Sequence, residues 1–140
     1  MDKLVIRGGN PLQGDVKISG AKNAVLPIMA SSLLVDGITV IRNVPDLRDT
    51  KTFIKLLEIL GAKCVLDGST LSVDASDINS LEAPYDLVKT MRASFYVMGP
   101  LLGRFGETKV SLPGGCAWGP RPVDYHLKGF EKLGASIDLN

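Results

Sequence analysis

The sequence is poor in several residues that would narrow its function. Its 140 residues include two cysteines, one histidine and one tryptophan, and the formal net charge is only +1. Two thiols far apart in sequence, Cys64 and Cys116, do not make the disulfide framework of a small secreted domain. The balanced charge, without a stripe of Lys and Arg, argues against a nucleic-acid surface. His126 has no Cys, His or carboxylate at ligand spacing, so the sequence indicates no metal site.

Long apolar runs are also missing. No segment is apolar over the length that spans a bilayer, and Met1-Asp2-Lys3 leads into an alternating pattern rather than the apolar core of a signal peptide. We therefore expect a cytoplasmic protein without membrane contact, whose thiols stay reduced. The chain can bury a hydrophobic core, because 45% of its residues are hydrophobic. This composition predicts one sizeable domain or a large piece of one.

The periodic segments predict an α/β fold. In chain order they are strands at 4–7 and 15–19, a helix from 21 or 22 to about 35, a strand at 38–41, a helix at about 50–60, a hairpin of 62–66 and 69–73, a helix at 88–102, a strand at 107–111, a helix at 123–133 and a closing strand at 134–138. Pro27 is tolerated only near a first turn, which fixes the first helix start near Lys22. Asp49 or Thr50 is expected to cap the second helix, and Gly61 to end it.

The second half of the sequence repeats the first. The segment 56–62 returns as 129–135, so that Gly61 corresponds to a glycine 73 residues later, whereas Gly37 corresponds to Gly106, only 69 residues later. The second copy therefore holds four extra residues, and they fall in the loop around Cys116. An insertion where βα loops usually carry function favours a functional loop.

The loop at 112–122 places a thiol beside two glycine pivots and a proline-framed arginine. Arg121 offers a planar donor fork suited to phosphate or carboxylate, close in sequence to Cys116. Two interpretations stay open: a catalytic loop facing an anion, or a βα connection that contains a cysteine. The repeat also aligns Arg92 with Asn23, which follows Lys22, so two helix starts and two basic side chains are predicted to face one anionic ligand.

Four segments carry a resemblance to a known family. They are 19–24 (SGAKNA), 90–94 (TMRAS), 112–116 (LPGGC) and 119–124 (GPRPVD), and the similarity runs over the whole chain. The sequence thereby resembles the enolpyruvyl transferases that act on UDP-N-acetylglucosamine. The resemblance implies an inside-out barrel of two domains, each with three repeats of strands and helices whose sheets face outward. Residues 1–20 would then complete the second domain, and 21–140 would supply about two repeats of the first, with the missing C-terminal part of the same protein as partner.

The resemblance also implies roles for individual residues. Phosphoenolpyruvate would be bound by Lys22, Asn23 and Arg121. UDP-N-acetylglucosamine would be bound by Arg92, Arg121, Pro122, Val123, Asp124 and Tyr125. Cys116 would give a proton to C3 of phosphoenolpyruvate while the sugar 3′-hydroxyl adds to C2, and phosphate would leave, without a cofactor. The implied process is the first committed step of peptidoglycan precursor synthesis, with consequences for cell shape and division, and the implied inhibitor is fosfomycin, an alkylating agent for Cys116.

Two other functions stay open. The chain could be an inert module that binds a nucleotide sugar or phosphate, since the expected general base belongs to the missing part. It could also belong to another enolpyruvyl transferase, such as that of the shikimate pathway, against which the Cys116 loop argues.

Cys64 is expected to be a buried core thiol and His126 a surface or capping residue. Asp46, Arg48 and Asp49 are expected to be solvated loop and cap groups, with contact to the second domain as the alternative.

Overall fold

The structure, a computed structural model, describes residues 3–85, 87, 91–111 and 123–139. For residues 92–94 it describes the backbone alone. Its α-helices are α1 (Lys22–Ser31), α2 (Arg48–Ile59), α3 (Met98–Phe105) and α4 (Asp124–Lys132). Two 3-10 helices cover Ser32–Leu34 and Arg92–Val97. The strands are β1 (Ile38–Ile41), β2 (Lys63–Asp67), β3 (Thr70–Asp74), β4 (Glu82–Ala83) and β5 (Lys109–Val110). This mixture of helices and strands confirms the predicted α/β class.

The main sheet is antiparallel, with β3 between β1 and β2. The predicted hairpin is confirmed, but Asp67 pairs with Thr70, so the two-residue turn is Gly68-Ser69, one residue later than Asp67-Gly68. Gly68 has φ +54°, a conformation that glycine adopts without steric cost. A smaller sheet pairs β4 with β5 in parallel. The sequence did not predict this sheet, because a two-residue strand is too short to show a period.

The core lies between the main sheet and the first two helices. Leu71 and Val73 of β3 are fully buried and alternate with half-buried polar residues, so one face of the sheet meets the core. The predicted apolar face of α2 is confirmed by Phe53, Leu56 and Leu57, each 0% exposed. Each such side chain removed from water contributes about 1.5–3 kcal/mol. The burial of these faces fixes how α1 and α2 pack together.

The helix ends support the predicted repeat. After α2, the N–H of Gly61 donates to Glu58 and that of Ala62 to Leu57, both at 3.0 Å. After α4, the same pattern recurs 73 residues later, with Gly134 donating to Glu131 and Ala135 to Phe130, both at 3.0 Å. Both glycines have positive φ, +108° and +98°, as in a Schellman ending. The order helix, strand, helix therefore recurs with the same terminal geometry.

Arg104 joins elements of the two repeats. Its Nη1 donates to the carbonyl oxygens of Leu33 and Val35 at 3.1 Å and of Ala75 at 2.8 Å. Its Nη2 lies 3.0 Å from Asp36 Oδ1, and only 16% of the side chain is exposed. A cation this buried is tolerated because both terminal nitrogens are paired, and these contacts tie α3 to the end of the first helical segment and to the residue that follows β3.

Several predicted elements are corrected. The strands at 4–7 and 15–19 do not form: residues 3–20 hold no strand, and their apolar side chains, such as Leu4 at 86% and Ile18 at 80%, are exposed. A strand needs a partner for its N–H and C=O groups, and no described segment pairs with these residues. The assignment of residues 1–20 to a second domain, and of 21–140 to part of a first, stays a prediction. The closing strand at 134–138 is also absent, and the one at 107–111 shortens to Lys109–Val110.

The helix boundaries differ from prediction where proline intervenes. The first helix begins at Lys22 as predicted, yet Pro27 lies inside it rather than in its first turn, and the segment tightens to a 3-10 helix after Ser31. The single helix predicted at 88–102 is instead a 3-10 helix followed by α3 from Met98, while 88–90 lie outside the described residues. Pro100 explains the break, because in a continuous helix it would remove an internal bond, whereas in the first turn of α3 it costs little.

Candidate functional site

Lys22 and Asn23 are the first two residues of α1 and both are exposed. The preceding Ala21 has no side chain that could accept from the first-turn N–H groups, and no acidic residue lies in that turn. Ala24 and Val25 donate to the Ala21 carbonyl at 3.1 and 3.0 Å, so the helix is well formed from its start. An open helix N-terminus beside a lysine favours a bound anion.

Lys22 is paired with a carboxylate. Its Nζ lies 3.1 Å from Asp49 Oδ2, with 51% of the lysine side chain and 37% of the aspartate side chain exposed. Asp49, expected to be a solvated loop or cap group, lies in the first turn of α2 and also joins the start of α2 to the start of α1. An ammonium group has three donors, so one bond to Asp49 leaves two for a ligand.

The approach to α1 is packed tightly against the loop between β1 and α2. A Cβ atom at Gly20 would overlap the carbonyl oxygen of Asn43 and lie 3.2 Å from Pro45 Cδ. Asn43 itself has φ +60°, a left-handed conformation that asparagine tolerates better than most residues. Glycine at position 20 is therefore required for this approach of two backbones.

The start of α2 is closed by Thr50 rather than by a capping residue in front of the helix. The helix begins at Arg48, one or two residues before the predicted cap. Thr50 is buried, its hydroxyl donates to the Pro45 carbonyl at 2.9 Å, and it accepts from the Leu47 N–H at 3.2 Å. Asp49 then falls in the first turn, where a carboxylate is stabilised by the helix dipole.

The residues expected on the nucleotide-sugar side are described in part. Arg92 begins a six-residue 3-10 helix that packs against α1. Val123 precedes α4, and Asp124 lies in its first turn, 3.6 Å from Lys128 Nζ. Tyr125 is 79% exposed. The exposure of Tyr125 agrees with a surface that a ligand can reach.

His126 links these elements. Its ring centroid lies 5.8 Å from that of Phe95, which belongs to the 3-10 helix at 92–97. Because that 3-10 helix also packs against α1, the structure connects the element with Lys22 to the element with Asp124 through one intermediate. His126 is an exposed residue, as predicted. Cys116, Arg121 and Pro122 lie outside the described residues, so their roles stay predictions.

Cys64 is half-buried in β2 and packs against the core, rather than being fully buried as predicted. Its burial, with a smaller contribution from the nearby Glu58 carboxylate, raises the thiol pKa to about 12. The thiolate is the reactive form, so this cysteine is held unreactive at neutral pH.

A cavity of about 600 Å³ lies elsewhere, between α3, β5 and the segment 127–139, and none of the candidate residues lines it. Within the described ranges, no three His, Cys, Asp or Glu residues come together as metal ligands. None of the helices in those ranges is both long and apolar enough to cross a bilayer.

Comparison with known proteins gives a consistent result. The family model for EPSP synthase (3-phosphoshikimate 1-carboxyvinyltransferase) matches residues 6–140. The chain is 61% identical to a UDP-N-acetylglucosamine 1-carboxyvinyltransferase of Chloroherpeton thalassium, over 99% of this chain and 33% of the relative. It is 56% identical to the protein of the same name from Desulfatibacillum aliphaticivorans, over 100% of this chain and 34% of the relative. The chain thus spans about a third of the length of the curated relatives it matches.

A solved structure is also similar. The enolpyruvyl transferase NikO from Streptomyces tendae matches with a TM-score of 0.63 and 34% sequence identity. The match covers 71% of this chain and 23% of NikO. The α/β arrangement of the described residues is therefore that of part of an enolpyruvyl transferase.

Proposed function

This chain belongs to the EPSP synthase family, and on that premise we propose that it forms part of an enzyme that transfers the enolpyruvyl group of phosphoenolpyruvate to the 3′-hydroxyl of UDP-N-acetylglucosamine. The observation that carries the proposal is 54–61% identity, over nearly the whole chain, to relatives named for that acceptor. The reaction would be the first committed step of peptidoglycan precursor synthesis and would take place in the cytoplasm.

Lys22 and the first turn of α1 would hold the phosphate of phosphoenolpyruvate. The exposed half of the Lys22 side chain and the uncapped N–H groups of α1 offer donors to one anion. A charge-assisted hydrogen bond of this kind contributes about 1.5–3 kcal/mol. Asn23 would lie near the reacting sugar hydroxyl, and Arg121 would add a second cation at the phosphate.

Cys116 would supply the proton. The sugar 3′-oxygen forms a bond to C2 of phosphoenolpyruvate, the electron pair of the C2–C3 double bond takes a proton from the thiol, and the hydroxyl proton passes to a general base. In the second half, C3 loses a proton, the C2–C3 double bond returns and the C2–O bond to phosphate breaks. A thiol with an ordinary pKa of about 8.5 is mostly protonated at neutral pH and can act as the acid.

The nucleotide sugar would lie towards the 3-10 helix at 92–97 and the start of α4. Arg92 would contact the nucleotide sugar, and its site would be lined by Arg121, Pro122, Val123, Asp124 and Tyr125. The exposed position of Tyr125 and the packing of the 3-10 helix on α1 support this placement, because Tyr125 is open to a ligand and Arg92 belongs to the element that contacts the Lys22 helix.

The choice of acceptor tests the proposal. A chimaera in which residues 1–140 replace the matching third of the Chloroherpeton thalassium relative provides a complete enzyme. We expect phosphate release from phosphoenolpyruvate when UDP-N-acetylglucosamine is added, and none with 3-phosphoshikimate. Release with 3-phosphoshikimate alone would favour the other enolpyruvyl transferase reaction. A folded chimaera inactive with both acceptors would refute the proposal.

A second candidate function is binding without turnover. It is favoured by the exposed Lys22 at the uncapped start of α1, which can bind an anion without any group that turnover requires. The two candidates separate when the 140-residue chain is assayed beside the chimaera. We expect no phosphate release from the chain alone, whereas steady release in a preparation free of host enzyme would mean that it holds a complete active site.

A further inference from the structure

We propose that Asp49 is a positioning residue for Lys22, holding the ammonium group where it receives the phosphate of the substrate. The inference rests on the proposed function and deepens it, because family resemblance pointed to Lys22 but assigned nothing to Asp49. Its starting point is the contact of 3.1 Å between Lys22 Nζ and Asp49 Oδ2, which joins the first turns of two helices.

The aspartate is held on a rigid support. Its neighbour Thr50 is 1% exposed and bonds to both the Pro45 carbonyl and the Leu47 N–H. The N–H of Val44 donates to the Ser69 carbonyl at 2.8 Å, which ties the same loop to the hairpin turn. The loop before α2 thus has few ways to move, and the carboxylate that follows it has a defined position.

The lysine is held from the other side. Gly20 lies so close to the Asn43 carbonyl that a Cβ atom would overlap it, and Asn43 takes a left-handed conformation at this contact. The chain leaving this contact enters α1 at Lys22 within two residues. The same loop therefore sets the start of α1 through Gly20 and the end of the lysine side chain through Asp49.

The pair has little to offer folding stability, since both side chains are partly exposed and water screens their attraction. Its effect on geometry is larger. A lysine side chain has four rotatable bonds, and a carboxylate fixed at its end confines it before any ligand arrives. The two remaining ammonium donors stay available to a ligand, so the substrate phosphate would meet a cation that is already in place.

A competing effect has the opposite sign. The negative charge of Asp49 repels an anion, and if that repulsion exceeded the benefit of confinement, removing the charge would tighten phosphoenolpyruvate binding. The repulsion is weakened because 37% of the aspartate side chain faces water. We therefore infer that confinement of Lys22 outweighs repulsion of the anion. Neutralising Asp49 separates the two effects, because loss of confinement weakens phosphoenolpyruvate binding whereas loss of repulsion tightens it.

The test uses the chimaera described above, with Asp49→Asn, which removes the charge and keeps the shape. We expect the KM for phosphoenolpyruvate to rise about tenfold, with the KM for UDP-N-acetylglucosamine little changed. The matched control is Asp46→Asn, which breaks a pair of similar type, with Lys51 at 2.7 Å, near the same helix start. The control is expected to leave both KM values unchanged.

A double-mutant cycle isolates the coupling between the two residues. In a Lys22→Ala background, Asp49→Asn is expected to have no further effect on phosphoenolpyruvate, because there is no ammonium group left to position. Asp49→Glu keeps the carboxylate and is expected to recover most of the affinity, which gives a second readout if the asparagine variant folds poorly. An unchanged or lowered KM in Asp49→Asn, or additive effects in the cycle, would overturn the inference. A wild-type chimaera without turnover would instead refute the proposed function.

Discussion

The ammonium group of Lys22 lies 3.1 Å from Asp49, and half of its side chain remains exposed. This exposure leaves the ammonium group accessible to a ligand, as the proposed anion site requires. The sequence predicted the position of Lys22 well, because a helix start can be inferred from local signals. It did not predict the partner, because the contact with Asp49 depends on how two helices pack.

Replacing Lys22 by Ala is expected to weaken phosphoenolpyruvate binding by loss of a charge-assisted contact of about 1.5–3 kcal/mol, or about 10-fold to 150-fold. Titration of the chimaera with phosphoenolpyruvate in the presence of UDP-N-acetylglucosamine measures the change. Lys51→Ala is the matched control, since Lys51 is also paired with an exposed aspartate near the α2 start and should leave affinity unchanged. Equal affinities for Lys22→Ala and wild type would place the phosphate elsewhere.

The thiol of Cys64 is expected to lower the free energy of unfolding as the pH becomes alkaline. Its folded pKa is raised to about 12, whereas an unfolded thiol has a pKa of about 8.5. Below pH 8.5 both states are protonated and the contribution to stability is fully present. As pH rises towards 12, only the unfolded chain ionises, so the contribution is progressively lost.

Comparing wild type with Cys64→Ala isolates this contribution. The free energy of unfolding of wild type, measured by urea titration at pH 8 and pH 10, should fall more than that of the variant. Cys116→Ala, measured in parallel, controls for the other thiol. Equal falls in wild type and Cys64→Ala would mean that the Cys64 pKa is not raised.

The helices that the sequence predicted best are α2 and α4. In α2 the apolar face formed by Phe53, Leu56 and Leu57 has a clear helical period, and Gly61 marks its end. The α4 boundaries fall within one residue of the prediction. Both helices were predicted from local sequence signals, which can be read without knowing how the rest of the chain folds.

Other elements depended on contacts that the sequence does not display. The strands at 4–7 and 15–19 have the right alternation but no described partner, so they do not form. The tight approach of Gly20 to Asn43 joins two loops that are distant in sequence. Among the candidate site residues, Lys22, Asn23, Val123, Asp124 and Tyr125 lie on elements that were predicted, whereas the support supplied by Asp49 was missed.

Glycine substitution at the two equivalent helix ends separates backbone strain from steric overlap. Gly61 and Gly134 have similar positive φ values, +108° and +98°, so alanine at either is strained by about 1–3 kcal/mol. Only at Gly61 would the new Cβ atom meet other residues, the Asp77 carbonyl oxygen at 2.6 Å and the Asn79 N–H nitrogen at 2.8 Å. At Gly134 the space is open.

Gly61→Ala is therefore expected to destabilise the protein more than Gly134→Ala, by a further amount of about 1–3 kcal/mol. The urea midpoints of the two chimaera variants measure the difference. Equal midpoints would show that the segment 77–79 moves away without cost, and would contradict the tight ending of α2.

Over the whole molecule, the described residues form a core around α1, α2 and the main sheet, and leave apolar side chains exposed at one end of the chain. Leu4, Ile6 and Leu12 are 80–96% exposed. Exposed apolar side chains of this kind offer a surface that another part of the proposed enzyme can cover. Catalysis as proposed requires that Cys116 and Lys22 act on the same small molecule.

The most direct measurement is peptide mass mapping of the chimaera after treatment with fosfomycin, an epoxide phosphonate that mimics phosphoenolpyruvate. If Lys22 and Arg121 hold the phosphonate and Cys116 approaches the epoxide carbon, one adduct should form on Cys116, and it should form faster when UDP-N-acetylglucosamine is present. Cys64 should stay unmodified, because its raised pKa keeps it protonated. An adduct on Cys64 with Cys116 unmodified, or full turnover by Cys116→Ser, would contradict the account.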